Sequence, residues 1–339
     1  MRNKYKRQQV ESNPQRWLLE IIFPDKRFDG QLQNPGTEEI FDFDDVIAMA
    51  NPIAFISQNI AYYPEGDDCE LFAVFISGLG QPEEISSKRS RRYAETLRTG
   101  IANMNNSSFL KQNPLFNKIN QYLDWVDAAI HRIGLAGSPA IRNTAILILH
   151  AIENYKTLNL SGDSHGTILL ARAIKSAKRR FIRKHTNFWN FKARKIRAEK
   201  WNNRTDQLIN VFAFGNSYRN WVKGPKYIMV SIEGDIVPER FGMNRDVANN
   251  KGRDDIKFIV FERIFKKGNF EAHNMMFTNE FLRQTFIKNN IVIGDFAGLY
   301  YQLKMSSLKL ATAEEGDWPD DMDKYVWNEE SLKELEVRR

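Results

Sequence analysis

Cysteine is almost missing from this sequence. Cys69 stands alone among 339 residues, so no disulfide can form within the chain, and such usage suits a reducing compartment. Histidine is scarce as well. The five that occur include no His-Glu-x-x-His pattern and there is no cysteine pair, so no metal-ligand spacing is present. No apolar run reaches the length of a membrane span; the nearest, Thr144 to Ile152, fits a buried helix. The basic start, Met1 to Gln9, leads into no apolar stretch and does not read as a secretory signal. Together these absences argue against a disulfide scaffold, a zinc protein and an integral membrane protein, and they favour the cytoplasm.

What is present suits a globular α/β protein. Hydrophobic residues make up 42% and charged residues 27%, enough to bury one large core or two smaller ones. Residues 1–15 read as a polar, flexible leader. Arg16 to Pro24 and Ile53 to Tyr63 carry β-branched and aromatic residues and are expected as early strands, with Asp25 to Thr37 a loop between them. Glu70 to Ser77 is a continuous apolar run stopped by Gly78-Leu79-Gly80-Gln81-Pro82, the pattern of a parallel strand covered on both faces. A helix is expected from Glu83 to about Met104. Residues 105–155 read as helical almost throughout, with Ile141 to Ile152 a helix after Gly137-Ser138-Pro139. His131 and His150 fall in this stretch as packing or surface residues. Three further strands follow: Asp206 to Phe214, Lys226 to Ile232 and Asp255 to Phe261. Such alternation implies a mostly parallel central sheet covered by helices.

The chain is arranged around Gly162-Asp163-Ser164-His165-Gly166. A short strand, Thr157 to Leu160, enters it and an apolar helix-forming run leaves it, the strand–turn–helix context in which Gly-x-Ser-x-Gly exposes a serine hydroxyl. Gly162 and Gly166 supply the small residues that such a sharp turn needs on either side. A serine hydroxyl is a poor nucleophile unless a base takes its proton and a carboxylate orients that base. Asp235 immediately follows the strand Lys226 to Ile232, and His273 follows Asp255 to Phe261. Both thus fall at carboxyl ends of strands, in the order Ser, Asp, His. Asp206, Asp254 and Asp255 precede strands. Asp163 and His165 adjoin Ser164 on a turn that directs its neighbours away from the hydroxyl, and His185 lies in a basic stretch. For an oxyanion, the backbone N–H groups of His165 and Leu79 are the expected donors, with Gly80 next to Leu79; the alternative for this loop is a plain tight turn.

The set resembles the α/β-hydrolase superfamily, and its second half is similar to class 3 (fungal-type) lipases. Phe212-Ala213-Phe214-Gly215-Asn216-Ser217 resembles their Thr-Phe-Gly-x-Pro stretch, Gly234-Asp235-Ile236-Val237-Pro238 resembles their Asp-x-Val-Pro, and Glu271-Ala272-His273-Asn274 stands where their histidine falls. The resemblance covers roughly residues 70–82 and 156–277. It implies an ester hydrolase with Ser164 as nucleophile, Asp235 as acid and His273 as base, acting on lipid or acylglycerol esters without metal or organic cofactor. A thioesterase or acyltransferase would use the same residues. Asp163 and Thr167 depart from the lipase pattern of His before the serine and Gly-Gly after it. One strand expected between the first βα unit and the Ser164 strand is not visible in residues 105–155.

The net charge of +7 is concentrated in Lys175 to Arg204, where Lys and Arg are interleaved with Phe181, Phe188, Trp189, Phe191 and Trp201. The expected organisation is one domain over residues 16–305, with 175–205 a basic helical insertion, followed by an acidic tail over 306–339 that carries Trp318 and Trp327. The basic segment suits peripheral contact with an anionic membrane. The competing reading is a catalytically silent hydrolase-fold module that grips anionic partners, phospholipid or nucleic acid. No recognised nucleic-acid motif accompanies it.

Overall fold

The computed structural model describes residues 28–64, 71–78, 83–106, 129, 131–132, 134, 137–184, 186, 189–261, 300 and 307–310. In chain order the elements are β1 (Leu32–Gln33), β2 (Ile40–Phe41), α1 (Phe43–Ile47), α2 (Pro52–Phe55) with a π turn over Ile56–Ile60, β3 (Phe72–Ile76), α3 (Glu83–Leu97) and β4 (Gly100–Met104). They continue with α4 (Pro139–Glu153), β5 (Leu158–Asp163), α5 (His165–Arg183), α6 (Phe191–Leu208), β6 (Ile209–Phe214) and β7 (Lys226–Ile232). The last are α7 (Ile236–Arg240), α8 (Arg245–Asn250), β8 (Ile256–Phe261) and β9 (Ser307–Leu310).

One mixed sheet runs in the order β2-β1-β4-β3-β5-β6-β7-β8-β9. β1 is antiparallel to β2 and β4, and every pair from β4 to β9 is parallel. Every residue of β3, β4 and β6 is buried, which is why these strands show no alternation of polar and apolar residues. The parallel α/β plan expected from the sequence is therefore present.

Several elements differ from the sequence reading, each for a local reason. The helix expected over 83–104 ends at Leu97; Arg98 takes φ 49°, and Gly100 to Met104 becomes β4. This is the strand that could not be found. Its Gly, Ala, Asn and Met have little strand preference, and pairing with β3 along its whole length decides its conformation. Ile53 to Tyr63 is not a strand but α2 and the π turn. Asn51 caps α2 by accepting the Ala54 N–H at 3.2 Å and Pro52 occupies its first turn, a start signal that the β-branched content obscured. β1 lies inside Asp25 to Thr37, whose glycines and proline predict a loop. Asp206 to Leu208 belongs to α6, so β6 starts only at Ile209. β9 carries the sheet past residue 305 by pairing with β8. Arg16 to Pro24, most of 105–128 and the segment 262–299 lie outside the described residues.

The basic stretch is not set apart from the fold. α5 is buried almost all round from His165 to Ala171, then keeps only a stripe of Ala173, Ile174, Ala177 and Phe181 inside. The abrupt change in composition marks one helix leaving the core, not a boundary. α6 returns antiparallel and buries Trp201 completely, its ring edge-on to Phe181 at 5.8 Å. Arg197 lies over the Phe181 ring and donates to the Phe181 carbonyl at 2.7 and 2.9 Å. Phe181 and Trp201 are thus core residues joining α5 to α6. Among the described residues no helix is long and apolar enough to cross a membrane.

This packing has a measurable consequence. Trp201→Ala should lower the free energy of unfolding by about 3–5 kcal/mol, the cost of emptying a buried aromatic site. The neighbouring exposed Lys200→Ala should change it by less than about 0.5 kcal/mol. Chemical denaturation of the two variants would distinguish a core helix from a loosely attached insertion, for which both changes would be small.

Candidate active site

The site is built where β5 ends. Ser164 sits between β5 and α5 with φ 44° and ψ −116°, a combination sparsely occupied by residues with a side chain. Such a conformation costs on the order of 1–3 kcal/mol and must be held by its surroundings. The Ser164 carbonyl accepts from the Thr167 N–H at 3.0 Å, the Thr167 hydroxyl at 2.6 Å and the Ser217 hydroxyl at 2.6 Å. At about 1 kcal/mol net for each, three such bonds are of the size needed to offset the strain. The Ser217 N–H closes the clamp by donating to the Thr167 oxygen at 3.0 Å. The Ser164 N–H extends the sheet ladder to the Phe214 carbonyl at 2.9 Å.

Backbone packing leaves no alternative to glycine after the serine. A Cβ on Gly166 would lie 2.1 Å from the Ile76 carbonyl oxygen at the end of β3, and one on Gly162 would lie 3.1 Å from Gly166 itself. The first turn of α5 therefore rests directly on the neighbouring strand. The loop after β3 lies against the serine, since a Cβ on Gly78 would come within 3.3 Å of the Ser164 Cβ and 3.1 Å of the Asp163 carboxylate. Ser164 is half-buried. His165 opens α5, so its N–H lies at the helix end where amides point outward and the dipole favours negative charge.

Asp235 is fully buried at the end of β7 and heads α7, its Oδ1 accepting the Val237 N–H at 2.9 Å. Only β6 separates β5 from β7, so the two strand ends stand about 10 Å apart by strand spacing. Ser164 and Asp235 therefore share the carboxyl edge of the sheet, and the strand β8, which precedes His273 in sequence, pairs with β7. His273, Leu79, Gly80 and His185 lie outside the described residues.

The residues beside the serine point elsewhere. The His165 ring is buried, 3.4 Å from the Asn106 side-chain nitrogen through Nδ1 and 5.4 Å from the His131 ring, centre to centre. Asn106 in turn donates to the Ser77 carbonyl at 3.1 Å, tying the end of β4 to the loop after β3. Asp163 is buried and forms an ion pair with Arg89 of α3 at 3.4 Å. Burial pushes the Arg89 guanidinium below its ordinary value and Asp163 opposes that shift. Burial, reinforced by the charge of Asp163, raises the neighbouring Tyr93 phenol well above its usual range. His150 is half-buried, with Asn154 against its ring.

Thr167, Ser217, Arg89 and Asn106 are the residues that sequence reasoning missed. Thr167 had a visible signal, standing where the lipase pattern has a second glycine. Ser217 lay in the Phe212–Ser217 stretch, singled out for its resemblance and not for its hydroxyl. Nothing in the sequence linked Arg89 to Asp163, 74 residues away.

Two outcomes follow for stability. Arg89→Met should cost about 3–5 kcal/mol, because it leaves a buried carboxylate without its cation, and adding Asp163→Asn should recover much of that loss. Thr167→Val should cost about 1–3 kcal/mol through the loss of its bonds to Ser164 and Ser217. Urea unfolding of the single and double variants checks both; a double variant no more stable than Arg89→Met would break the argument for the pair.

No family model matches the chain, and no curated protein matches it. A solved structure with some likeness is the LpqC poly(3-hydroxybutyrate) depolymerase from Bordetella parapertussis, with 11% identity, a TM-score of 0.34 and coverage of 72% of this chain and 86% of that one.

Proposed function

We propose that this chain is a serine hydrolase of the α/β-hydrolase type that cleaves carboxylic esters through an acyl-Ser164 intermediate. The observation that carries the reading is the strained Ser164 backbone, at φ 44° and ψ −116°, between a buried parallel strand and the N-terminus of a long helix. A clamped, sparsely populated serine at the carboxyl edge of a sheet has no evident structural purpose, whereas an exposed nucleophile needs that shape. The position of Asp235 and the contact of the Gly78 loop with Ser164 support it.

The chemistry assigns each group one task. His273 takes the Ser164 proton as Oγ attacks the ester carbonyl, and Asp235 holds the imidazole in the tautomer that accepts it. The N–H groups of His165 and Leu79 stabilise the tetrahedral oxyanion. Collapse expels the alcohol, protonated by His273. Water activated by the same imidazole then releases the acid and restores the serine. No metal or organic cofactor enters this scheme. Lipid or acylglycerol esters are the substrate class favoured by the lipase-like stretches at 212–217, 234–238 and 271–274.

A fluorophosphonate probe should label the wild-type protein at Ser164 and fail on Ser164→Ala. His273→Ala and Asp235→Asn should lower turnover of a p-nitrophenyl ester by about a thousandfold or more while leaving the thermal midpoint close to wild type. Failure of the wild type to be labelled, alongside a labelled control hydrolase, would reject the proposal. Unchanged turnover in either variant would remove that residue from the mechanism.

A further inference from the structure

Several cations of Lys175 to Arg204 are engaged within the fold, and Lys184 at the end of α5 is ion-paired with Glu153 at 2.6 Å. Lys178 donates to Asn202 at 3.0 Å and to the Lys223 carbonyl at 3.1 Å, Arg197 is tied to Phe181, and Arg204 bonds to Tyr155. The Lys178–Asn202 and Arg197–Phe181 bonds join α5 to α6, while Arg204 ties α6 to the turn after α4. Arg179, Arg180, Arg183, Lys192 and Lys195 instead face solvent around the end of the hairpin. Glu199 is the one acidic residue in the segment.

The aromatics divide the same way. Phe181 and Trp201 are buried, but Trp189 is 80% exposed, Phe191 69% and Ile196 56%, all on the short turn or the first turns of α6. Three large apolar side chains so exposed on one hairpin that also carries five exposed cations are of a size that matters for association. We infer that the α5–α6 tip is a docking surface for an anionic phospholipid bilayer, with Trp189, Phe191 and Ile196 entering the headgroup boundary and the five cations facing lipid phosphates and carboxylates. Ile196 favours a bilayer over nucleic acid. An aliphatic side chain gains from the acyl boundary, whereas single-stranded nucleic acid rewards aromatic stacking.

The placement separates docking from catalysis. α5 has 19 residues, so its cationic end lies about 28 Å along its axis from the Ser164 end. The proposed docking surface is therefore separate from the strand-end site.

The test is co-sedimentation of the full chain with vesicles of phosphatidylcholine alone or with phosphatidylserine, at low and high salt, and with a fluorescent single-stranded oligonucleotide as a parallel arm. Wild type should pellet with the phosphatidylserine vesicles only and be released by salt. Each cation changed to Gln among Arg179, Arg180, Arg183, Lys192 and Lys195 should weaken partitioning about fivefold. Trp189→Ser, Phe191→Ser and Ile196→Ser combined should weaken it at low salt. Both sets are exposed, and their thermal midpoints should match wild type. No pelleting at low salt, equal pelleting with neutral vesicles, or undiminished pelleting by either set would overturn the inference. So would tight oligonucleotide binding that survives the triple Ser change, in a protein that ignores the vesicles.

Discussion

The close approach of α5 to β3 is the constraint on which the arrangement depends. Gly166 lies so near the Ile76 carbonyl that no side chain fits between them. That contact lets the chain leave β5, turn through the strained Ser164 and start a helix within a single residue. The carbonyl of Ser164 must then be held at the angle that ψ dictates, and the hydroxyls of Thr167 and Ser217 do so from α5 and from the loop after β6. Three consecutive strands, β3, β5 and β6, thus cooperate in fixing one residue's backbone.

Polar residues tie the neighbourhood of the serine to other elements of the sheet edge. Asp163 is paired with Arg89, and the His165 ring is turned toward Asn106 and His131. Each side chain adjoining the serine is thereby committed to another element of the sheet edge. At its other end α5 trades burial for charge, joins α6 through Phe181 and Trp201, and presents an apolar and cationic tip. One helix connects a buried strand end to a solvent-facing surface of different character.

Much of this was legible in the sequence because it followed from local composition. β3, β7 and β8 were visible as short β-branched runs with glycine or turn stops. The strand before Ser164 was seen but runs three residues further, to Asp163, since polar Ser161 and Asp163 are buried by pairing with β6 and not by their own hydrophobicity. β4 was hidden for a related reason: Gly100 to Met104 is a strand only by virtue of β3 beside it. In α2 the β-branched residues predict a strand, and the Asn-Pro start overrides them. In the site, Ser164, Gly162, Gly166 and Asp235 could be picked out by spacing and strand position. The Thr167–Ser217 clamp and the Arg89–Asp163 pair could not, because they join residues far apart in sequence.

The central claim is that Ser164 becomes acylated. Rapid mixing with excess p-nitrophenyl ester, an acid quench and mass spectrometry of the digested protein tests it at the atom concerned. The account predicts a Ser164 peptide heavier by the mass of the acyl group, accumulating with the initial release of p-nitrophenol and disappearing as deacylation proceeds. An acyl adduct on another residue, or steady turnover with the Ser164 peptide unmodified at every quench time and after His273→Ala, would contradict it.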